Sequence, residues 1–451
     1  MKYVQPEISE NWGSRVKLRR IILKNFRIVD ADSDFFGSLI IENNIIKKII
    51  YDTEYIPDAD MTINSGAFSH SAVLMPAFVD LHAHFREPGF PEKETLESAS
   101  LAAAAGGFAT VVCMANTNPV TDTIEKARAL KNRVDTLGLI DLYPVLSLTK
   151  NMEGRELSRI KDLPAAEALI LSEDGKDVAD DNLFLAAMGE AKRLGIPVSC
   201  HCDFGGTEAE AAKKAGRPRS EWSRIEENNA VRRAIELGTK AGCHIHIAHV
   251  STKEAAELIR AAKKDLPAKG GRVLTCEAAP HHIGAAEEDA RHMGDESFGR
   301  VNPPLRSEAD RQAIIAAIHD GTIDAVATDH APHSEADKAA GSPGFSGLEA
   351  AFAVCLSHLT NEMTPNQELQ RLSALMSKNP ARILGLKDRG KIAEGLRADL
   401  VIVDIQARHK MNPAQFKSRG KCSPFAGKEL RGKILMTLNA GKIVYMGDEI
   451  A

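Results

Sequence analysis

His82 and His84 are the residues of this chain whose type and spacing most directly suggest chemistry. They stand one residue apart in Asp80-Leu81-His82-Ala83-His84-Phe85-Arg86-Glu87-Pro88-Gly89. The apolar run before them, Ala72-Val73-Leu74-Met75-Pro76-Ala77-Phe78-Val79, reads as a buried strand. Side chains alternate along a strand, so two histidines spaced this way at its end project to the same side. Neutral imidazoles held side by side suit one divalent metal, and histidine suits zinc. Alone, the pair reads equally well as two surface or core histidines, so the question is what completes a site.

Other potential ligands also stand just after apolar, strand-like runs. Asp174 lies three residues past Leu171 in Ser172-Glu173-Asp174-Gly175, and His201 follows Pro197-Val198-Ser199-Cys200. His249 ends His244-Ile245-His246-Ile247-Ala248, and Asp329 follows Val326-Ala327-Thr328. The candidate metal ligands are therefore His82, His84, Asp174, His201, His249 and Asp329. In a parallel barrel all of these strand ends form one face. That many N and O donors suits two zinc-like ions bridged by a carboxylate and a water. Such ions lower the pKa of bound water toward neutrality, and Asp329 beside it could pass a proton to a leaving nitrogen. The pattern predicts metal-assisted hydrolysis of a C–N bond.

The elements that must carry these residues follow from periodicity. Strand-like runs alternate with helical patterns from about Ser71 to Leu384, with helices over Glu97–Ala105, Thr123–Leu137, Phe184–Leu194, Ile225–Ala241, Lys253–Lys264 and Arg311–His319. Nearly eight βα units in that span predict an α/β chain with a (β/α)₈ TIM-type barrel. A doubly wound open sheet is the alternative, but no Gly-X-Gly-X-X-Gly follows the first strand. Short β-type runs stand at both chain ends: Leu18–Leu23, Ser38–Ile41 and Ile45–Ile50 first, then Ala398–Asp404 and Gly441–Tyr445. Asn43-Asn44 reads as a hairpin turn, and the Lys- and Pro-containing stretch Arg408–Gly432 as loop. The organisation expected is a tail over 1–15, a β-sandwich part over 16–70, the barrel over 71–384 and a second β-sandwich part over 385–451.

Bulk composition excludes several classes. The chain has 451 residues, of which 43% are hydrophobic and 26% charged, and its net charge of -5 offers no basic surplus for nucleic acid or anionic membrane. Aromatic residues at 5%, with only Trp12 and Trp222 as tryptophans, give no stacking platform. No apolar run approaches the ~20 residues that span a bilayer, and the N-terminus lacks a signal-peptide core. Seven scattered cysteines, without a Cys-X-X-Cys pair, fit free thiols in a reducing compartment. The expectation is a cytoplasmic enzyme acting on a small molecule, with no nucleic acid and no membrane as partner. Cys200 and Cys202 read as buried thiols, His244 and His246 as packing residues, and His281-His282 as structural or ligand-orienting.

His82-Ala83-His84-Phe85-Arg86-Glu87-Pro88-Gly89, Asn116-Thr117, Ser172-Glu173-Asp174-Gly175, His244–His249 with Ser251-Thr252-Lys253-Glu254, Asn302-Pro303-Pro304-Leu305-Arg306 and Thr328-Asp329-His330-Ala331-Pro332-His333, in this order, resemble the dihydroorotases. The resemblance is to the bacterial, aspartate-bridged branch of the amidohydrolase superfamily, and it extends from about Val16 to Tyr445. It implies a barrel with a β-sandwich built from both termini, and reversible interconversion of N-carbamoyl-L-aspartate and (S)-dihydroorotate in pyrimidine synthesis. By this resemblance His82, His84 and Asp329 hold one Zn²⁺ and His201 and His249 a second, with Asp174 bridging and Asp329 also moving the proton. Arg86, Asn116 and His333 match positions that bind the substrate carboxylate, and Asn302 a position that contacts the ring. A guanidinium suits a carboxylate because it binds in bidentate fashion. A homodimer, and docking to aspartate transcarbamoylase as in some relatives, are also implied.

The chain departs from that pattern in places. Ala115 stands where proline is common, Glu173 where aspartate is frequent, and Cys202-Asp203-Phe204 where two acids are usual after the histidine. A register slip of one would put Glu173 in place of Asp174, and Arg86 could instead form a structural salt bridge with Glu87 or Glu94. The rival activity is that of a hydantoinase or allantoinase. Those relatives usually bridge their metals with a carboxylated lysine and lack the arginine two residues past the second histidine; Lys176 is near but out of register. A non-catalytic barrel serving as a scaffold would lack ligands, and none is missing. Ser334–Pro343, with Gly341, Pro343 and Gly344, reads as a mobile lid or an ordinary surface loop.

Overall fold

In the segment Phe78–Ala83, Val79 and Leu81 pack into an apolar cluster with Ala381, Ile383 and Leu384. The alternate residues Asp80 and His82 are therefore turned to the other side, where they meet Thr328 and Glu277. The computed structural model describes residues 20–51, 57–164, 168–265, 274–293, 297–360 and 365–447. The expected N-terminal tail, Trp12, the start of the first terminal strand and Val273 lie outside the described residues.

Eight parallel strands carry the centre of the molecule. Phe78–Ala83, Phe108–Cys113 and Asp141–Pro144 pair in one arc; Leu171–Ser172, Val198–Cys200, Ile245–Ile247, Leu274–Ala278 and Ala325–Val326 pair in a second. Single parallel bridges, Leu146 to Leu171 and Ala83 to His330, join the arcs at their two seams. Helices alternate with the strands, among them Leu96–Ala105, Ile124–Leu137, Asp181–Leu194, Arg219–Ala241, Lys253–Asp265 and Glu308–His319, as the periodicity predicts. Their ends have local causes. The Thr123 hydroxyl accepts from Lys126 N at the start of Ile124–Leu137, and Gly138 closes it in the left-handed conformation, φ 64°. The helix Ala351–Leu359 has no sequence signature, because nearly all of its residues are buried and leave no amphipathic stripe.

The second layer is a mixed eight-stranded sheet assembled from both chain ends. The expected hairpin joins Asp34–Glu42 to Ile45–Tyr51, with Asn43 at φ 50° and Asn44 at φ 71° supplying the two left-handed positions of the turn. Two readings need correction. Ala72–Val79 is not one strand: Ala72–Pro76 pairs with Leu400–Lys410 in the terminal sheet, and the barrel strand begins afresh at Phe78. Both halves are buried on every side, so hydropathy gives no sign of the change of sheet. Nor is Arg408–Gly432 all loop, since Arg408, His409 and Lys410 pair with Arg431, Leu430 and Glu429. The end of Leu400–Lys410 alternates exposed and half-buried residues, which removes the apolar signal. At the N-terminal end of the barrel strands, Arg389 reaches Thr110 and Asp141, and Arg397 reaches Asp141 and Asp399, fastening the sheet to the barrel.

Candidate active site

All six candidate metal ligands sit at or just beyond the C-terminal ends of barrel strands. His82 lies in the first strand and His84 one residue past it, while Asp174 is two residues past Leu171–Ser172. His201 follows Val198–Cys200 directly, His249 comes two residues after Ile245–Ile247, and Asp329 three after Ala325–Val326. Their ligand atoms converge. Asp174 Oδ1 lies 3.1 Å from His82 Nε2 and 3.0 Å from His201 Nδ1, while Asp174 Oδ2 is 3.5 Å from His84 Nε2. Asp329 Oδ1 is 3.4 Å from His84 Nε2 and 3.7 Å from His82 Nε2, and His249 Nε2 is 2.8 Å from His201 Nδ1. All six side chains are buried. His249 and Asp329 also hold left-handed backbone, at φ 33° and 44°, as does Arg86 at 62°. For residues with a Cβ that strain costs about 1–3 kcal/mol each, and such residues cluster where geometry serves a site.

The tautomers test whether a cation fits. His82 Nδ1 lies 3.1 Å from the Glu277 carboxylate, which can only accept, so Nδ1 carries the proton and Nε2 is left with its lone pair. His84 Nδ1 donates likewise to Asn116 Oδ1 at 2.9 Å. Both lone pairs face Asp174 and Asp329, and His82 Nε2 and His249 Nδ1 are buried without a hydrogen bond among the described residues. Two groups of ligand atoms lie within 4.8 Å of one another: His82, Asp174 and His249, and His82, His84 and Asp329. This differs in detail from the expected division, because His249 groups with His82 and Asp174. His201 is engaged at both nitrogens, with Asn302 Nδ2 3.1 Å from its Nε2. Burial opposes ionisation of Asp174 and Asp329, yet the surrounding imidazoles hold both carboxyls well below their ordinary range. Burial together with His201 and His82 pushes His249 down to about 3, keeping it neutral. Lone pairs and carboxylates converging in a buried cluster suit a borderline cation such as zinc.

Glu277 and Asp80 support the site and were not singled out from sequence. Glu277 Oε2 accepts from His246 Nε2 at 2.9 Å, and His246 Nδ1 meets Thr275 Oγ1 at 2.9 Å. His246 therefore does more than pack: it orients the carboxylate that fixes the tautomer of His82. Burial disfavours the Glu277 carboxylate, but His246 and His82 bring it down to about 2. Asp80 accepts from Thr328 N at 2.8 Å and from Thr328 Oγ1 at 2.6 Å, joining the first strand to the residue before Asp329. Beyond His249, Glu227 accepts from Ser251 N, Thr252 N and Arg306 Nη2 and holds that loop. The only signal in the sequence is an acid inside an apolar strand, Leu274-Thr275-Cys276-Glu277-Ala278, a residue type almost never fully buried unless paired.

The remaining candidates lie beside this centre. Arg86 is half-buried, donates through Nε to Pro332 O at 3.1 Å, and approaches His333 Nε2 with Nη2 at 3.2 Å. It makes no ion pair among the described residues. The alternative partners are taken, Glu87 by Arg133 and Leu96 N, and Glu94 by Ser98, Ser418 and Arg419 N. Asn116 holds His84, and Asn302 holds His201 while accepting from Arg219. Glu173 is turned away from the centre, accepting from Thr149 N at 3.0 Å and from Thr149 Oγ1, so Asp174 alone enters the cluster. Lys176 is exposed. Asp203 Oδ2 is 3.6 Å from His201 Nε2, and His281 Nε2 is 3.9 Å from Asp329 Oδ2. Cys200 and Cys202 are buried free thiols. The segment after His333 contains a short helix, Glu335–Ala339, capped by Ser334, and its Lys338 is buried.

Comparison with known proteins places this geometry in a family. The amidohydrolase family model matches residues 73–444. A dihydroorotase of Clostridium botulinum is 39% identical over 94% of this chain and 99% of its own length. A dihydroorotase of Clostridium acetobutylicum is 36% identical, again over 94% and 99%. Among solved structures, the L-hydantoinase (dihydropyrimidinase) of Arthrobacter aurescens superimposes with a TM-score of 0.82 at 25% identity, covering 96% of this chain and 97% of its own. The dihydropyrimidinase of Brevibacillus agri, at 19% identity and a TM-score of 0.78 over 96% of each chain, shows the same fold. The chain belongs to the amidohydrolase family and, within it, to the dihydroorotases.

Proposed function

We propose that the protein interconverts (S)-dihydroorotate and N-carbamoyl-L-aspartate, with His82, His84, Asp174, His201, His249 and Asp329 holding divalent metal, one or two Zn²⁺ per subunit. The bound metal would supply Lewis acidity, polarising the ring amide carbonyl and lowering the pKa of water. Asp329, ionised and beside His84 and His82, accepts the proton of the attacking water and delivers it to the ring nitrogen as the C–N bond breaks. The carbonyl carbon ends as a carboxylate, the second proton of the water passing to solvent, and the nitrogen ends as the NH₂ of the ureido group. Closure runs the same steps backwards. Arg86 and His333 orient the ring by its carboxylate. Asn116, bonded to His84, carries ligand orientation and substrate contact together, and Asn302, beside His201 Nε2, carries substrate contact.

One observation favours this over a neutral cyclic amide. Arg86 is a half-buried guanidinium two residues past a candidate ligand, with only a carbonyl and an imidazole as partners and no carboxylate among the described residues. A sequestered cation needs a counter-charge, and a substrate carboxylate provides it. The position of Asp174 between His82 and His201, with Lys176 exposed, supports the same choice. The test is turnover by the zinc-loaded protein of dihydroorotate, hydantoin and allantoin, followed separately. Dihydroorotate should be consumed; turnover of hydantoin or allantoin alone would reject the assignment. The proposal extends to a homodimer in the cytoplasm and to docking on aspartate transcarbamoylase. Sedimentation of the protein alone and with that enzyme tests both associations. No helix among the described residues is long and apolar enough to cross a membrane.

A further inference from the structure

Lys338 is 1% exposed and makes no ion pair among the described residues. Its ammonium instead donates to three main-chain carbonyls: Arg300 O at 2.8 Å, Ser342 O at 3.0 Å and Gly344 O at 3.0 Å. An ammonium has three protons, so every donor is used, and the Phe345 ring lies 5.1 Å from Nζ. Burying such a charge without a carboxylate is costly, which makes an incidental origin a poor account of it. The carbonyls come from two places. Ser342 and Gly344 flank Pro343, whose own carbonyl lies 2.9 Å from His333 Nε2. Arg300 is two residues before Asn302, and its carbonyl also accepts from Gly344 N at 3.0 Å.

His333 Nε2 meets two groups but can satisfy one. Protonated, it donates to Pro343 O and leaves the Arg86 Nη2 proton without an acceptor there. Unprotonated, it accepts from Arg86 and leaves the Pro343 carbonyl unmet. Whatever holds the Pro343 carbonyl in place therefore decides whether Arg86 is free for a ligand. We propose that Lys338 is a positioning residue for substrate: by clasping the carbonyls on either side of Pro343 to that of Arg300, it keeps Pro343 O on His333, frees Arg86 for a carboxylate, and holds the His333 and Asn302 loops in register. The carboxylate-binding part of this rests on the proposed function; the clasp itself does not.

The experiment compares zinc-loaded wild type with Lys338→Met, which has similar length and no donor, and Lys338→Gln, which keeps a donor should the first variant fail to fold. Dihydroorotate kinetics, metal content, melting temperature and amide hydrogen exchange over 331–345 are measured on each. Losing one charge-assisted contact to the carboxylate should raise KM about tenfold with kcat within about threefold. Metal content should be unchanged and exchange over 334–344 faster. A structural residue would lower the active fraction and the melting temperature and leave KM alone; that outcome, or wild-type exchange over 334–344, overturns the proposal. If the wild type does not act on dihydroorotate, the proposed function falls, and the exchange arm still decides the clasp, with faster exchange supporting it.

Discussion

Glu277 offers the sharpest test of how the metal centre is held. Its carboxylate accepts from His82 Nδ1 at 3.1 Å and from His246 Nε2 at 2.9 Å, and it is 1% exposed. In Glu277→Gln the amide oxygen can serve only one of these donors, while its NH₂ faces the other. His246 has a way out: it can move its proton to Nδ1, where the Thr275 hydroxyl both donates and accepts. His82 has none, since a proton on Nε2 would occupy the lone pair that faces Asp174 and Asp329. Glu277→Gln should thus keep the His82 tautomer but lose the charge on its partner, worth about 1.5–3 kcal/mol. That corresponds to about 10–100-fold weaker metal binding. Glu277→Leu removes both acceptors and should be weaker still. Zinc affinity by competition with a chromophoric chelator reads this directly, with activity against free zinc as a second measure. Wild-type affinity in both variants would refute the idea that Glu277 sets the tautomer of His82.

The other expectations are shorter. Arg86→Met should raise KM for dihydroorotate about 10–100-fold, the loss of a charge-assisted pair, with metal content unchanged; an unaltered KM removes Arg86 from substrate binding. Asp329→Asn should lower kcat by about 10²–10⁴ while most of the metal stays bound, and full activity in that variant would eliminate the proton transfer assigned to it. Glu349 accepts from Lys417 N and Ser418 N, but burial outweighs these bonds and pushes its carboxyl up to about 7. The folded state then binds the proton more tightly than the unfolded chain, so stability falls as pH rises from the ordinary carboxylate range through about 7. Glu349→Gln should flatten that slope in melting temperatures measured from pH 5 to 8, and an unchanged slope would assign it to another group.

Much of the site is written in local pattern. The period of two along a strand puts His82 and His84 on one side, whatever surrounds them. Alternation of apolar runs with helical stripes announces parallel βα units, whose strand ends share a rim. That is why candidate ligands far apart in the chain could be expected on one rim from sequence. What the sequence leaves open depends on partners brought from elsewhere. The break at Ala77 is unmarked because both sheets demand buried residues on either side of it. Lys338 reads as one more charged residue in a loop until Arg300, Ser342 and Gly344 turn their carbonyls toward it. The adjacent acids Glu173 and Asp174 make the point most clearly. Sequence alone permits either in the cluster. Thr149, from the preceding strand's loop, binds Glu173 through its N–H and hydroxyl, and only Asp174 is left between His82 and His201. Alternation is a property of the backbone and can be read locally, whereas the competition of acids for donors is settled by which strands the fold makes neighbours.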